Sequence, residues 1–91
     1  MMIKLKNVSG TETANFTTLS VKGQSIAPGE QKTVYNNNNM SGMGANSIET
    51  LQLCAELMGF ITNDVLVFII NGVEADKAQS LNIMQPVLNF P

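Results

Sequence analysis

The stretch that most limits what this chain can become is Val65-Leu66-Val67-Phe68-Ile69-Ile70, which runs directly into Asn71-Gly72. Six consecutive uncharged residues, mostly β-branched or aromatic, suit a strand covered on both faces better than a helix. Asn-Gly then supplies the positive-φ residues of a tight turn. Helix-like patterns precede and follow the run, so both are expected to pack on this strand. The chain therefore reads as a small α+β domain with one central apolar strand and two short helices.

Its 91 residues make one domain, 1–91, with a core of modest size. The composition is 44% hydrophobic, which excludes overall disorder, yet only 13% is charged, about half the share usual in a soluble domain. Such a surface must be finished with amides, hydroxyls and apolar groups. That favours burial against copies of the same chain or against a larger assembly. The five basic residues are all lysine, without arginine or histidine. Bidentate recognition of phosphate and base edges is thus missing, and a net charge of −2 gives no pull toward DNA or an anionic membrane. Neither nucleic acid nor membrane is an expected partner. Lys4, Lys6, Lys22 and Lys32 gather in the first third, which reads as plain solvation.

Cys54 stands alone, so no internal disulfide or cysteine-based zinc site forms, and its apolar helical surroundings point to packing. No secretory leader opens the chain, and the run at 65–70 is far too short to span a bilayer. A soluble, cytoplasmically made protein is expected.

Taken in order, Met2-Ile3-Lys4-Leu5-Lys6-Asn7-Val8 alternates with period two, as a half-buried strand does. Residues 16–21 alternate again with Phe16, Leu19 and Val21 inward, and slip at Thr17-Thr18, where a bulge is expected. Pro28-Gly29 marks a type II turn, and 31–35 makes a third strand. Residues 1–35 are therefore an antiparallel β-meander. Residues 36–46, with four asparagines followed by Met40 and Met43, form a long loop that is either mobile or an arm ordered by a neighbouring subunit. Residues 47–91 form a helix–strand–helix unit with an apolar tail. The first helix covers 47–58: Asn46 and Glu49 propose a capping box, Ile48, Leu51, Ala55 and Met58 a stripe, and Gly59 a left-handed stop. The second covers 76–84, with acids in its first turn, an apolar stripe of Ala75, Ala78, Leu81 and Met84, and Pro86 as its end. Val87, Leu88 and Phe90 belong to a tail that docks on its own core or on a partner.

Catalytic machinery is hard to find. Without histidine the commonest general base is missing, and with it the usual serine and cysteine nucleophile arrangements. The seven acids, Glu12, Glu30, Glu49, Glu56, Asp64, Glu74 and Asp76, fall at turns, caps or exposed helix positions and read as solvated surface. Glu74 and Asp76 lack the regular oxygen spacing of a calcium loop, Gly42-Met43-Gly44 lacks a phosphate-loop lysine, and the methionines have no metal-binding spacing. No enzyme, cofactor or metal is expected.

Two segments carry a resemblance. Val21-Lys22-Gly23-Gln24-Ser25-Ile26-Ala27-Pro28-Gly29-Glu30 is similar to the Ala-Pro-Gly-Glu hairpin of many phage structural proteins and bacterial surface β-domains. Residues 60–84 resemble a recurring virion pattern in which an apolar strand, here 66–70, meets an Asn-Gly turn and then a short helix. The chain departs from that pattern in carrying Val73-Glu74 after the turn, where serine or threonine often caps the helix. The resemblance covers about a third of the chain, and is to small structural proteins of tailed bacteriophages. It implies a non-enzymatic virion protein, made in the host cytoplasm and present in many copies. A capsid decoration or cement role comes first, with a neck or tail accessory role or a small host-protein-binding module as alternatives. The implied partners are the chain itself and other virion proteins such as the major capsid protein. The surfaces expected to mediate assembly are the loop and the tail, through Asn38, Asn39, Met40, Met43, Val87, Leu88 and Phe90.

Overall fold

A computed structural model describes residues 2–18, 21–36, 39–40 and 47–88, with side chains for 2–18, 21–34 and 55–84. The architecture is α+β. Strands β1 (Met2–Asn7), β4 (Gln31–Asn36), β5 (Asn39–Met40), β6 (Leu66–Ile70) and β7 (Val73–Glu74) form one antiparallel sheet in the order β5-β4-β1-β6-β7. Strands β2 (Ala14–Asn15) and β3 (Ser25–Ile26) pair separately. Helices α1 (Ser47–Thr62) and α2 (Lys77–Leu88) complete the fold.

Period-two alternation in β1 sets the layers. Leu5 lies opposite Phe68 of β6, and both join Leu57 and Ile61 of α1 and Met84 of α2 in a single core cluster. Both helices therefore cover the face that Leu5 and Phe68 share. Lys4 and Lys6 point the other way, opposite Ile69 and Val67. Those two residues are each only 7% exposed although they stand outside the core cluster. Strand β6 is thus buried on both faces, as its composition requires, but helices supply only one cover. On the other face its cross-strand neighbours do so, where half-buried lysines can lay their methylene stems over apolar surface. The middle place in the sheet belongs to β1, which pairs with both β4 and β6.

The two turns read from Pro-Gly and Asn-Gly form as expected. The Glu30 amide donates to the Ala27 carbonyl at 2.9 Å with Gly29 at φ 81°, a type II turn. Asn71 and Gly72 adopt φ 48° and 82° and join β6 to β7 as a type I′ hairpin. The two-residue strand β7 itself had no signature of its own.

Several expectations are corrected. The N-terminal strands are not sequential neighbours throughout, because the β2–β3 pair is inserted between the partners β1 and β4. Phe16 and Val21 are buried, but neither is in a strand: Phe16 follows β2 and Val21 lies in a short 3₁₀ turn, while Leu19 lies outside the described residues. The sheet's irregularity falls at Ile3/Lys4 and not at Thr17-Thr18. The Asn-rich segment 36–46 is in part a hairpin, since Asn36 pairs with Asn39 and Tyr35 with Met40. Helix α1 passes through Gly59 and stops instead at Asp64, whose φ is 62°. There the Val65 amide donates to the Phe60 carbonyl and the Asp64 amide to that of Ile61, the two bonds of a Schellman end. Burying Ile61 completely outweighs the roughly 1 kcal/mol cost of an internal glycine. The α1 stripe shifts accordingly: Leu57 and Ile61 are buried and Ala55 is exposed. The expected cap at Asn46 lies outside the described residues.

On α2, Ser80 and Met84 point inward while Ala78 is exposed. Asp76 precedes the helix rather than occupying its first turn, and forms a reciprocal cap with Gln79. The Gln79 amide donates to Asp76 Oδ1 at 2.8 Å, and the Asp76 amide to Gln79 Oε1 at 3.0 Å. Pro86 does not end the helix, which runs to Leu88. A proline this near the end removes only one amide donor, and Asn82, four residues back, is exposed to water.

Asn7 ties the layers together. It is 1% exposed, and its Nδ2 donates to the carbonyls of Glu12 and Ile26 at 2.7 and 2.8 Å while its Oδ1 accepts the Ser9 amide at 2.8 Å. Asn7→Ala leaves those three groups without this partner and is expected to cost about 2–4 kcal/mol in urea unfolding, since an unmet buried group costs about 1–3 kcal/mol. A loss below about 1 kcal/mol would show that water replaces the amide.

Candidate interaction surface

The β6–β7 hairpin and α2 together make an open apolar groove. The type I′ turn returns the chain as an edge strand of only two residues. Beyond it the Ala75 amide donates to the Phe68 carbonyl at 2.8 Å, and the Phe68 amide donates to Ser80 Oγ at 3.1 Å. Ser80, fully buried, thus takes over where β7 stops and hooks α2 onto the sheet. With Ser80 turned in, the helical positions Gln79, Asn82 and Ile83 fall on a common outer side beside β7. The resulting shallow groove, about 390 Å³, is lined by Ile70, Val73, Ala75 and Ile83 together with Glu74 and the two amide side chains. Val73 is 71% exposed and Ile83 40%.

Charge around the groove is already partnered. Lys6 Nζ meets Glu74 Oε1 at 2.9 Å, and Lys77 Nζ meets Asp64 Oδ1 at 3.1 Å. A smaller cleft of about 160 Å³ on the helix-free face is lined by Met2, Lys4, Gln31, Ile69 and Gly72. Among the described residues no three acids, cysteines or histidines converge in a metal-binding group, and no helix is long and apolar enough to cross a membrane.

The acids were expected to be solvated, and the structure gives five of the seven definite partners. Glu74 and Asp64 pair with lysines, Asp76 caps α2, and Glu30 Oε1 accepts the Ala27 amide at 2.8 Å. Glu56 is the most heavily used. Its Oε1 accepts the amide and hydroxyl of Thr17 at 2.7 and 2.9 Å, and its Oε2 accepts those of Thr18 at 3.2 and 2.7 Å. Partial burial pushes this carboxyl up, but the hydrogen bonds from the two threonines outweigh it and leave the pKa below the ordinary value.

Of the residues expected to mediate assembly, Asn39 and Met40 form β5, at the opposite edge of the sheet from β7. Val87 and Leu88 lie in the last turn of α2, with Val87 one helical turn beyond Ile83. Asn38, Met43 and Phe90 lie outside the described residues, as does the side chain of Cys54. Sequence reasoning missed Val73 and Ile83. The available signal was Ile83 standing off the stripe of Leu81 and Met84, and a valine following an Asn-Gly turn. Comparison of the chain with protein-family models, with curated proteins and with solved structures finds no match.

Two substitutions separate scaffold from surface. Ser80→Ala strips the acceptor from a buried amide and is expected to lower stability by about 1–3 kcal/mol. Val73→Ser, at an exposed site, is expected to change it by less than about 0.5 kcal/mol. Equal costs in urea melts would mean that Val73 belongs to the fold rather than to an open surface.

Proposed function

We propose that this chain is a non-enzymatic structural protein of a tailed-bacteriophage virion, a decoration or cement subunit that works by contact with its own copies and with the capsid shell. The observation that carries this reading is the exposed apolar groove between β7 and α2, where Val73 and Ile83 lie open beside charges that are already paired. Exposed apolar groups rimmed by polar ones are what an association surface requires. The low charge content and the resemblance of residues 21–30 and 60–84 to virion proteins support the same reading.

Recombinant protein should form a defined homo-oligomer in sedimentation velocity or bind purified capsids. Val73→Asp with Ile83→Asp should weaken either association by roughly tenfold or more, the equivalent of about 1.4 kcal/mol, with an unchanged circular dichroism spectrum. A monodisperse monomer that binds no capsid overturns the proposal. Mass spectrometry of particles gives presence and copy number, which separates a shell protein from a neck or tail component.

A further inference from the structure

Glu56 sits in a geometry that reaches beyond packing. Its two carboxylate oxygens are divided between two consecutive residues, Oε1 serving Thr17 and Oε2 serving Thr18, each through one amide and one hydroxyl. Backbone bonds among the described residues also close the turn that carries them, and the Lys32 ammonium on β4 donates to Gln24 Oε1 at its far side. The Val21 amide donates to the Thr18 carbonyl, the Gln24 amide to that of Val21, the Phe16 amide to that of Gln24 and the Gly23 amide to that of Phe16. Among the described residues, Thr17 and Thr18 hydrogen-bond to α1 through this one carboxylate. Beneath it, Phe16 meets Phe60 of α1 edge-on at 5.5 Å and 77°, and Val21 is fully buried.

We propose that Glu56 is an acid-releasable clasp, whose protonation frees the turn around Thr17-Thr18 from α1 and uncovers the Phe16–Phe60 contact while the sheet stays folded. A proton on either oxygen confronts an amide N–H already directed at that oxygen. The threonine hydroxyl can rotate to accept the new proton, but the amide is left facing the weak acceptor of a neutral acid, so one threonine's hold weakens whichever oxygen is protonated. The groups facing the carboxylate from the turn are uncharged. Lys22, the turn's charged residue, makes no ion pair with it, and no charged neighbour contributes to its pKa shift. Because the folded pKa is depressed, the clasp holds fully above the ordinary value of 4.5 and is lost as pH falls through the lower folded value. This inference stands independently of the virion reading.

Amide exchange followed by NMR tests it. Acidification from pH 7 to 3 should lower the protection factors of the Thr18 and Val21 amides roughly tenfold or more, as expected for loss of a charge-assisted hydrogen bond. The β1 and β6 amides should keep theirs. Glu56→Gln, which turns an amide donor toward the threonine donors, should show the open turn at pH 7 and no further response to acid. Protection that does not change with pH, that falls equally across the sheet, or that survives Glu56→Gln overturns the clasp. Should Glu56→Gln fail to fold, Thr18→Val serves in its place. A lower Val21 protection at pH 7 with an intact sheet supports the clasp, and unchanged protection overturns it.

Discussion

The buried side-chain amide of Asn7 is the interaction on which the rest of this fold leans. At the end of β1, the strand paired on both sides, one residue bonds five others through side chain and backbone. Its amide group holds Ser9, Glu12 and Ile26, while its backbone exchanges bonds with Gly29 and Glu30 of the type II turn. An apolar residue of similar size would fill the volume and leave two carbonyls and an amide without this partner. In a protein interior such a deficit matters more than the net worth of the bonds formed. This amide bonds the loop before β2 and strand β3 to the end of β1, alongside the burial of Ala14, Phe16 and Ile26 in the common core.

The same device recurs wherever a regular element ends. Ser80 Oγ receives the Phe68 amide beyond the reach of β7, Asp76 and Gln79 close the start of α2, and Glu56 gathers two threonine amides. In a chain with so few charges, three acids, Glu30, Glu56 and Asp76, accept backbone amides. The terminal groups of helices and strands need partners, and a single carboxylate can satisfy several donors at once.

Local chemistry was legible in the sequence, and its long-range use was not. Pro28-Gly29 and Asn71-Gly72 each demand one backbone shape, and both adopt it. The apolar run at 66–70 had to be a doubly covered strand, and it is. Asn7, Glu56 and Ser80 look ordinary in one dimension, because all they satisfy, apart from the Ser9 amide, lies between 5 and 39 residues away. The end of α1 was misread for a related reason. Gly59 has the right backbone for a stop, but Phe60 and Ile61 gain more by staying helical against the core, so the left-handed residue becomes Asp64. Of the residues expected to mediate assembly, Val87 and Leu88 were read as an apolar tail. The structure places them in the last turn of α2.

The edge at β7 shows how these constraints meet on the surface. Two-residue strands and nearby charge normally protect a sheet edge from pairing with other chains. Here the strand is short and Glu74 is engaged by Lys6, so the polar half of that protection is directed back into its own sheet. Val73 remains turned to water, beside an α2 face that presents Ile83 between two uncharged amides. The one acid in this groove is already neutralised by its own chain, so a neighbouring surface meets no unpaired like charge there and need desolvate little besides amides. On the proposed reading, the scarcity of charge across the whole composition comes to a head at this edge. At this edge the acid that would repel a neighbour is paired with a lysine of its own sheet.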